Sequence, residues 1–419
     1  MVIRLLRNRN FFFLWLAQIA ATLGNELYNI GVIVAIYEQT GSAVQATGVL
    51  VARTLPPFLF SPLAGALVDR YDRRWVLVGM NLLRALLIAL FFAMAAGGLP
   101  NIWLIYTVVC GVALADLFYR PAQMALIPSL VTRAELLKAN SLVMSTNMAG
   151  FALAYGAGAW LLVQLGSRPF MLLDLACFVV GALCAWQIGV PAAAEVASTT
   201  AEPSLRTMIG DGVRYLRRHE LARALVVMEA FEHIPHGIWT ASIMLVFAEQ
   251  ALQASPEAWG YQMAVFWSST VAGSLLALAL ANRLGRRPGW VILVNAFINA
   301  GLTFVYALSP NLWVALLICA LYGLPSAMRD VAQDTLLQTS VQQSLLGRVF
   351  AMRHMVVNLC FLCASVLFAV LADHTPIRWV YLIGSALYLG TAFYALARPP
   401  LRDARLAHAQ PAVEVAGVS

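Results

Sequence analysis

The sequence predicts an all-α membrane protein with twelve transmembrane helices arranged as two pseudo-symmetric six-helix bundles. Three observations predict this fold class: an excess of apolar residues, their grouping into twelve long stretches, and a repeat between the two halves of the chain. Of the 419 residues, 61% are hydrophobic and 11% are charged, whereas soluble domains carry about 25% charged residues. A soluble fold could not bury so many apolar side chains, because much of its surface faces water. We therefore expect the chain to lie in a lipid bilayer.

Each apolar stretch runs for roughly 20 residues, which is the length that a helix needs to cross the hydrocarbon layer. The strands of a membrane barrel would instead alternate apolar and polar residues. The predicted spans, in chain order, are 11–37, 44–66, 75–95, 101–124, 138–163, 169–189, 222–248, 258–281, 290–307, 311–330, 350–371 and 377–397.

The basic residues predict the orientation of these spans. All but four of the 27 lysines and arginines fall in or beside loops that share one side of the membrane. The exceptions are Arg53 and Arg84, within spans, and Arg168 and Arg378, on the other side. Because Lys and Arg concentrate in cytoplasmic loops, both termini are predicted to be cytoplasmic. Nucleic-acid binding would need one basic patch instead of many short basic loops, so we expect no nucleic-acid partner.

The longest loop divides the chain into two halves. Its first part is small and polar, as in a flexible linker. Residues 205–216 then place apolar side chains at helical spacing between arginines, which predicts an amphipathic helix at the cytoplasmic membrane surface. The predicted domains are an N-terminal six-helix bundle at 1–189, the linker at 190–221, a C-terminal six-helix bundle at 222–400 and a cytoplasmic tail at 401–419.

Two short segments recur in both halves, separated by nearly the same number of residues. Asp69–Arg74 (DRYDRR) follows the second span, and Asn282–Arg287 (NRLGRR) follows the eighth. The second match pairs Ala122, Gln123, Leu126 and Val131 with Ala332, Gln333, Leu336 and Val341. Together they indicate an internal duplication. A duplication of this kind is a known transporter architecture, in which the substrate binds between the halves near the bilayer midplane.

Three segments resemble a known family. GALVDRYDRR (Gly65–Arg74) resembles the loop signature between spans 2 and 3 of the major facilitator superfamily. The segments at 118–142 and 336–352 are similar to the bacterial branch that holds the enterobactin exporter and macrolide-efflux permeases. The resemblance implies export of drugs or siderophores driven by the proton gradient, in the bacterial inner membrane. In span 5, the stretch Ala154–Ala159 lacks the proline that drug antiporters usually carry there.

The same resemblance implies a cytoplasmic gate. In the family, the acidic residue of the loop signature sits at a helix end and contacts basic residues as the two conformations exchange. Arg120 near the inner end of span 4, and Arg329 and Asp330 near that of span 10, are assigned to the same gate. The gating candidates of this sequence are Gly65, Asp69, Arg70, Arg73, Arg74, Arg120, Arg329 and Asp330. An alternative is that the arginines only orient the chain.

Ionisable residues inside the membrane are functional candidates, because a charge near the bilayer centre costs about 2.5–3.5 kcal/mol on insertion scales. By resemblance, spans 1, 4, 7 and 10 line the central cavity, and these spans carry the polar stripes. Glu26, Glu232 and Asp116 are the candidates for proton coupling. The candidates for lining the substrate cavity are Gln18, Asn25, Asn29, Glu229, His233, His236 and Trp239.

Two other interpretations of these residues stay open at this point. Glu26 and Glu232 would merely hold helices together if they paired with the intramembrane arginines Arg53 and Arg84. The acidic and histidine residues of span 7 are also of the types that bind divalent metals, but one helix alone rarely completes a coordination shell. We expect no metal site and no cofactor.

The sequence favours a secondary active transporter: a proton-coupled exporter of a lipophilic drug, siderophore or similar small metabolite that works by alternating access. The alternatives are an importer or facilitator of an unrelated solute and, from another class, a non-transporting membrane sensor. An ATP-binding P-loop, a zinc-protease HExxH motif and a GxSxG motif are absent from the sequence, so we expect no enzyme. The expected partners are a small-molecule substrate, protons and the lipid bilayer, and the chain is expected to act as a monomer.

Overall fold

The computed structural model describes residues 5–68, 71–94, 101–132, 135–189, 210, 214–255, 257–280, 287–342 and 345–404. Nearly all of these residues are helical, so the predicted all-α fold is confirmed. The main helices are α1 (Arg9–Thr40), α2 (Ala43–Val68), α3 (Arg73–Met94), α4 (Ile102–Leu130), α5 (Leu136–Leu165), α6 (Ser167–Trp186), α7 (Glu220–His236), α8 (Glu257–Ala279), α9 (Pro288–Ala307), α10 (Leu312–Ser340), α11 (Leu346–His374) and α12 (Ile377–Leu396).

Each of the twelve predicted spans coincides with one of these helices, but their apolar character differs. Within the described ranges, ten helices are long and apolar enough to cross a membrane. The helices α7 and α8 are not among those ten. A 17-residue helix such as α7 is at the short limit for a span. Twelve helices therefore lie at the predicted positions, but only ten of them are long and apolar enough to be identified as membrane spans.

The seventh span is broken in its middle. After α7 the chain forms a 3-10 turn over Gly237–Trp239, the short helix Ala241–Val246, and a π-helical turn over Phe247–Ala251. Pro235 lies one residue before the end of α7, and a proline cannot donate the backbone hydrogen bond that continues a helix. A side chain at Gly237 would lie 2.8 Å from the backbone nitrogen of Ser365. The bend and this missing side chain let the span pack directly on α11.

The start of α1 and the segment before α7 lie on one face of the bundle, here called the terminal face. Asn8, before α1, donates to the carbonyl of Leu130 at 2.7 Å, at the end of α4. In the other half, Tyr215 donates to the carbonyl of Ser340 at 2.7 Å, at the end of α10. The opposite face, here called the far face, carries the turn at Gly41, whose φ of 63° suits a residue without a side chain.

The described contacts between the two halves lie in the middle of the bundle and toward the far face. Helix α5 packs along α8, where Tyr155 meets Trp259 edge-on with ring centroids 5.7 Å apart. A side chain at Gly260 would lie only 2.3 Å from Ala159. Helix α2 joins the C-terminal half through Thr47, whose hydroxyl lies 2.7 Å from that of Ser242. These contacts close the bundle on the far face.

The repeated positions occupy equivalent places in the two halves. Gln123 on α4 and Gln333 on α10 are both buried, and each donates to a side chain of the first helix of its own half. Both helices run ten or fewer residues past the predicted span, to Leu130 and Ser340. This agreement is the structural counterpart of the sequence repeat.

Two arginines that the sequence analysis counted with the basic loops lie inside α10 and α11. Arg329 and Arg353 are each 6% exposed and lie inside helices. Both already lie within the predicted spans 311–330 and 350–371, and their burial shows that they are residues of the helix bundle and not of the loops.

Several predicted features lie outside the described residues. Asp69 and Arg70, the second copy of the loop signature at 282–286, most of the linker, and the tail from 405 onward belong to this group. Residues 214–218 of the predicted amphipathic segment are helical. Gly65 lies within α2.

Candidate functional site

A polar cavity of about 370 Å³ lies on the inner side of the N-terminal half, between α1, α2 and α4. Its wall combines polar and charged side chains with apolar ones such as Val109 and Val112. The polar lining residues are Asn25, Tyr28, Asn29, Arg53, Thr54, Asp116 and Arg120. The sequence-predicted residues Asn25, Asn29 and Asp116 thus meet in one place, together with Arg53, which sequence reasoning treated only as a partner.

Glu26 lies behind this cavity and binds two different helices. Its Oε1 pairs with Nη2 of Arg53 on α2 at 2.8 Å. Its Oε2 accepts a hydrogen bond from the hydroxyl of Tyr155 on α5 at 3.0 Å, and one from the amide of Asn29 at 3.5 Å. The Glu26 side chain is 3% exposed, whereas that of Arg53 is 35% exposed. The arginine therefore faces the cavity while the carboxylate is buried.

Asp116 forms the second charged cluster of this half. One carboxylate oxygen accepts from Arg84 at 3.1 Å and from Asn25 at 3.2 Å. The other pairs with Arg120, one turn along α4, at 2.7 Å. Arg84 is fully buried, and its guanidinium lies 4.6 Å from the ring centre of Tyr119. The ring face offers the buried cation an electrostatic partner.

The two clusters leave an excess of positive charge at the cavity. Arg53, Arg84 and Arg120 oppose only two carboxylates, Glu26 and Asp116. Arg120 is the most exposed of the five, with 63% of its side chain accessible. The interpretation that Glu26 pairs with an intramembrane arginine is thus realised for Arg53, while Arg84 pairs with Asp116.

Gln18 lies one to two turns from the cavity, toward the terminal face. It is 3% exposed, accepts from the amide of Gln123, and donates to the carbonyl of Val143 at 3.3 Å. These contacts join α1, α4 and α5. In this conformation Gln18 braces three helices and is not among the residues that line the cavity.

The C-terminal half holds a second pair of clusters between α7, α10 and α11. Glu232 pairs with Arg329 at 2.6 Å and accepts from Gln333 at 3.2 Å. Arg329 also pairs with Asp330 at 2.7 Å. The side chain of Asp330 is 58% exposed, while those of Glu232 and Arg329 are buried. The gating candidate Arg329 is therefore in direct contact with the proton-coupling candidate Glu232, and Asp330 is linked to Glu232 only through Arg329.

Glu229 and Arg353 form the second cluster of that half. Arg353 binds both carboxylate oxygens of Glu229 through two guanidinium nitrogens, one of them at 2.6 Å. A third nitrogen pairs with Asp334 at 2.6 Å. A two-pronged arginine–carboxylate pair is among the strongest of protein hydrogen-bonded pairs. The cluster fixes α7 against α11.

The remaining candidates of span 7 pack inside the C-terminal half. The Nδ1 of His233 lies 2.9 Å from the carbonyl of Glu229, and that of His236 lies 3.2 Å from the hydroxyl of Tyr388. Trp239 is 8% exposed and packs on Tyr306 with ring centroids 4.8 Å apart. In the part of the chain that the structure describes, acidic, histidine and cysteine side chains form no group that could hold a metal ion.

The described arginines of the loop signature contact their own half. Arg73 donates to the carbonyl of Ala125 on α4 at 3.1 Å, and Arg74 donates to that of Trp186 at the end of α6. These bonds hold the start of α3 against two neighbouring helices. The gating role predicted for both residues stays a prediction.

One buried carboxylate, Asp174, was not among the site residues predicted from the sequence. Asp174 lies in α6, 2% exposed. Asp174 is an ionisable residue inside a predicted span, and such residues are functional candidates. The sequence analysis considered them only in the spans expected to line the cavity, and span 6 is not one of these. Tyr155, which bonds to Glu26, carried no such signal.

The sequence matches the transmembrane secretion effector family over residues 3–415. An uncharacterized MFS-type transporter of Bacillus subtilis is 26% identical, and the match covers 94% of this chain and 97% of the relative. Macrolide efflux protein A of Streptococcus pyogenes is 22% identical, over 90% of this chain and 93% of the relative.

Solved structures of membrane transporters share the fold. A bacterial homologue of the iron transporter ferroportin in an inward-facing state superposes with a TM-score of 0.69 at 16% identity, covering 94% of this chain and 100% of that one. The nucleoside transporter NupG gives a TM-score of 0.70 at 14% identity, covering 92% and 98%. The chain is therefore a multi-pass membrane transporter of the MFS type and belongs to the transmembrane secretion effector family.

Proposed function

We propose that this transporter exports a lipophilic small molecule, such as a drug or siderophore, in exchange for protons by alternating access. The observation that carries the proposal is the position of Glu26. One buried carboxylate binds both the cavity-facing Arg53 and Tyr155, whose ring packs on Trp259 of the other half. The charge state of Glu26 thus acts on the substrate cavity and on the contact between the halves.

Protonation of Glu26 has two local consequences. It removes the charge that holds Arg53, so the guanidinium is free to turn toward the cavity or toward an anionic group of the substrate. It also weakens the hydrogen bond from Tyr155, because bonds to a charged acceptor contribute about 1.5–3 kcal/mol and neutral ones about 1. Tyr155 lies at the α5–α8 contact, where the halves must separate when the far face opens.

The closure of the bundle supports alternating access. The described contacts between the halves leave the terminal face without the tight α5–α8 packing seen toward the far face. With both termini cytoplasmic, as the basic loops predict, this conformation would load substrate from the cytoplasm. Export is further favoured by the similarity to macrolide efflux protein A of Streptococcus pyogenes.

The test is drug accumulation in an efflux-deficient bacterium that expresses the protein. Erythromycin, ethidium and a catechol siderophore are compared with and without a protonophore. Export predicts lower accumulation of at least one compound, and the protonophore should abolish the difference. Equal accumulation across the panel, with the protein present in the membrane, would refute export of these classes. Higher accumulation would favour the importer.

A variant pair separates proton coupling from folding. Glu26→Gln keeps the size of the side chain but cannot carry the proton. We expect it to lose gradient-driven export while it reaches the membrane in normal amount. The matched control is Asp403→Asn, which changes an exposed carboxylate paired with Arg402 near the terminal face. Full export by Glu26→Gln would exclude Glu26 as the coupling residue.

A further inference from the structure

A second cavity, of about 340 Å³, lies in the N-terminal half between α1, α3, α5 and α6. It is separate from the substrate cavity and shares only Tyr28 with it. Most of its wall is apolar and includes Phe91, Phe92 and Leu162. Its polar lining residues fall into two groups, one near the far face and one deep in the bundle.

The first group marks the far-face end of the cavity. Ser167 and Arg168 begin α6, and Glu38 lies in the last turn of α1. Glu38 and Arg168 are exposed. The deep group consists of Asp174 and Tyr28. Asp174 lies seven residues after Ser167, about 10 Å further into the bundle at 1.5 Å per residue.

Asp174 differs from the other buried carboxylates of the protein. Glu26, Glu229 and Glu232 each bind an arginine. Asp174 is 2% exposed, its Oδ1 is buried without a hydrogen-bond partner, and it forms no ion pair with any arginine, lysine or histidine among the described residues. An arginine holds its partner carboxylate in the charged form. A buried carboxylate without a cation is costly as an ion and takes a proton instead.

The neighbours of Asp174 do not supply a positive charge. From α1, Tyr28 faces it, and the Tyr28 hydroxyl is likewise buried without a partner in the described part of the chain. On α6 itself, Cys177 is its titratable neighbour. From α3, the nearest cation is Arg84, which pairs with Asp116 and stacks on the Phe178 ring one turn beyond Asp174. The part of α5 that lines the cavity carries only Leu162.

We propose that Asp174 is a proton-binding site that takes up its proton from the far face through this second cavity. Tyr28 forms the wall between Asp174 and the substrate cavity. The protein would then bind a second proton, besides the one proposed for Glu26, in a compartment that opens toward the far face and is separate from the substrate cavity. This inference rests on the proposed function for its role in transport, but the binding of the proton itself does not depend on it.

Infrared spectroscopy of the purified protein tests the site without any substrate. A protonated carboxyl gives a C=O stretching band that disappears on deprotonation. We expect the pH-dependent spectrum of the wild type to contain a component that Asp174→Asn lacks and that the control Asp403→Asn keeps. An unchanged titrating band in folded Asp174→Asn would overturn the proposal. Should Asp174→Asn fail to fold, Asp174→Glu should keep a band at a shifted frequency, and an unshifted band would overturn it.

Ethidium accumulation in cells tests the role in transport. Asp174→Asn is expected to lose gradient-driven export, and Asp174→Glu to restore it. Wild-type export that continues in Asp174→Asn would overturn the coupling role of Asp174. A wild type that exports nothing, together with a titrating band that depends on Asp174, would instead contradict the proposed function and leave the proton site standing.

Discussion

Asp373 holds the far face closed, and its removal should open it. This residue lies at the end of α11, and its carboxylate accepts hydrogen bonds from the start of α2 in the other half. The donors are the hydroxyl of Ser42 at 2.5 Å and the backbone N–H groups of Ala43 at 2.5 Å and Val44 at 3.2 Å. A carboxylate at a helix N-terminus also gains from the helix dipole.

The effect of Asp373→Ala follows from these bonds. Each hydrogen bond to a charged group contributes about 1.5–3 kcal/mol net, so the loss of even one should shift the closed-to-open equilibrium of the far face by about 10- to 150-fold, and the loss of all three by more. Ser42→Ala removes one of the three donors and should therefore shift the equilibrium less than Asp373→Ala does. The bonds between Asp373 and the start of α2 are here called the latch. A larger effect of Asp373→Ala than of Ser42→Ala would distinguish the loss of the latch from a general loss of stability.

The assay measures how fast a cysteine at the closed interface reacts. Thr47 is 1% exposed and contacts Ser242 of the other half. Thr47→Cys in purified protein should react slowly with a maleimide and faster when combined with Asp373→Ala, after subtraction of the native cysteines. Glu249→Gln, on the same face but outside the latch, is the control. Equal labelling rates with and without Asp373 would show that the latch does not hold this face closed.

Two further predictions concern packing between helices. Arg353→Met leaves the buried Glu229 without its partner, which should lower the free energy of unfolding by about 3–5 kcal/mol. Adding Glu229→Gln should recover part of the lost thermal stability, measured in detergent. No recovery would show that the ion pair between Arg353 and Glu229 does not stabilise the protein. Gly260→Ala should weaken the far-face closure, because its side chain would lie 2.3 Å from Ala159. The control is Gly79→Ala, because no atom lies within 4 Å of a side chain added there. In the Gly79→Ala background, Thr47→Cys should react with the maleimide as slowly as in the unmodified background. Equal maleimide labelling rates in the Gly260→Ala and Gly79→Ala backgrounds would refute the close approach of Gly260 to Ala159.

The helices could be predicted from the sequence because lipid imposes a length and a composition on each span. Where that constraint relaxes, the prediction loses accuracy. Helix α10 continues ten residues beyond the predicted end at 330, since its buried face runs on through Leu336 and Leu337. The polar residues and Pro235 of the broken seventh span are visible in the sequence. The 3-10 turn, however, depends on packing against α11, and the π turn on packing against α12.

The ionisable residues could be found from the sequence, but their partners could not. Glu26 meets an arginine from α2, whereas Glu232 meets one from α10. Which arginine a carboxylate reaches depends on how the helices pack, and helix periodicity fixes only the face on which each residue lies. Asp174 shows the same limit, because its proposed role depends on the absence of an arginine partner among the described residues.

The most direct test of proton-coupled export compares drug accumulation in efflux-deficient cells that carry the wild type, Glu26→Gln or Asp403→Asn. Our account predicts that the wild type and Asp403→Asn lower the accumulation of at least one compound only while the proton gradient is intact, and that Glu26→Gln does not lower it at all. Export by Glu26→Gln at the wild-type rate, with the same response to a protonophore, would contradict the assignment of coupling to Glu26 and its contacts with Arg53 and Tyr155.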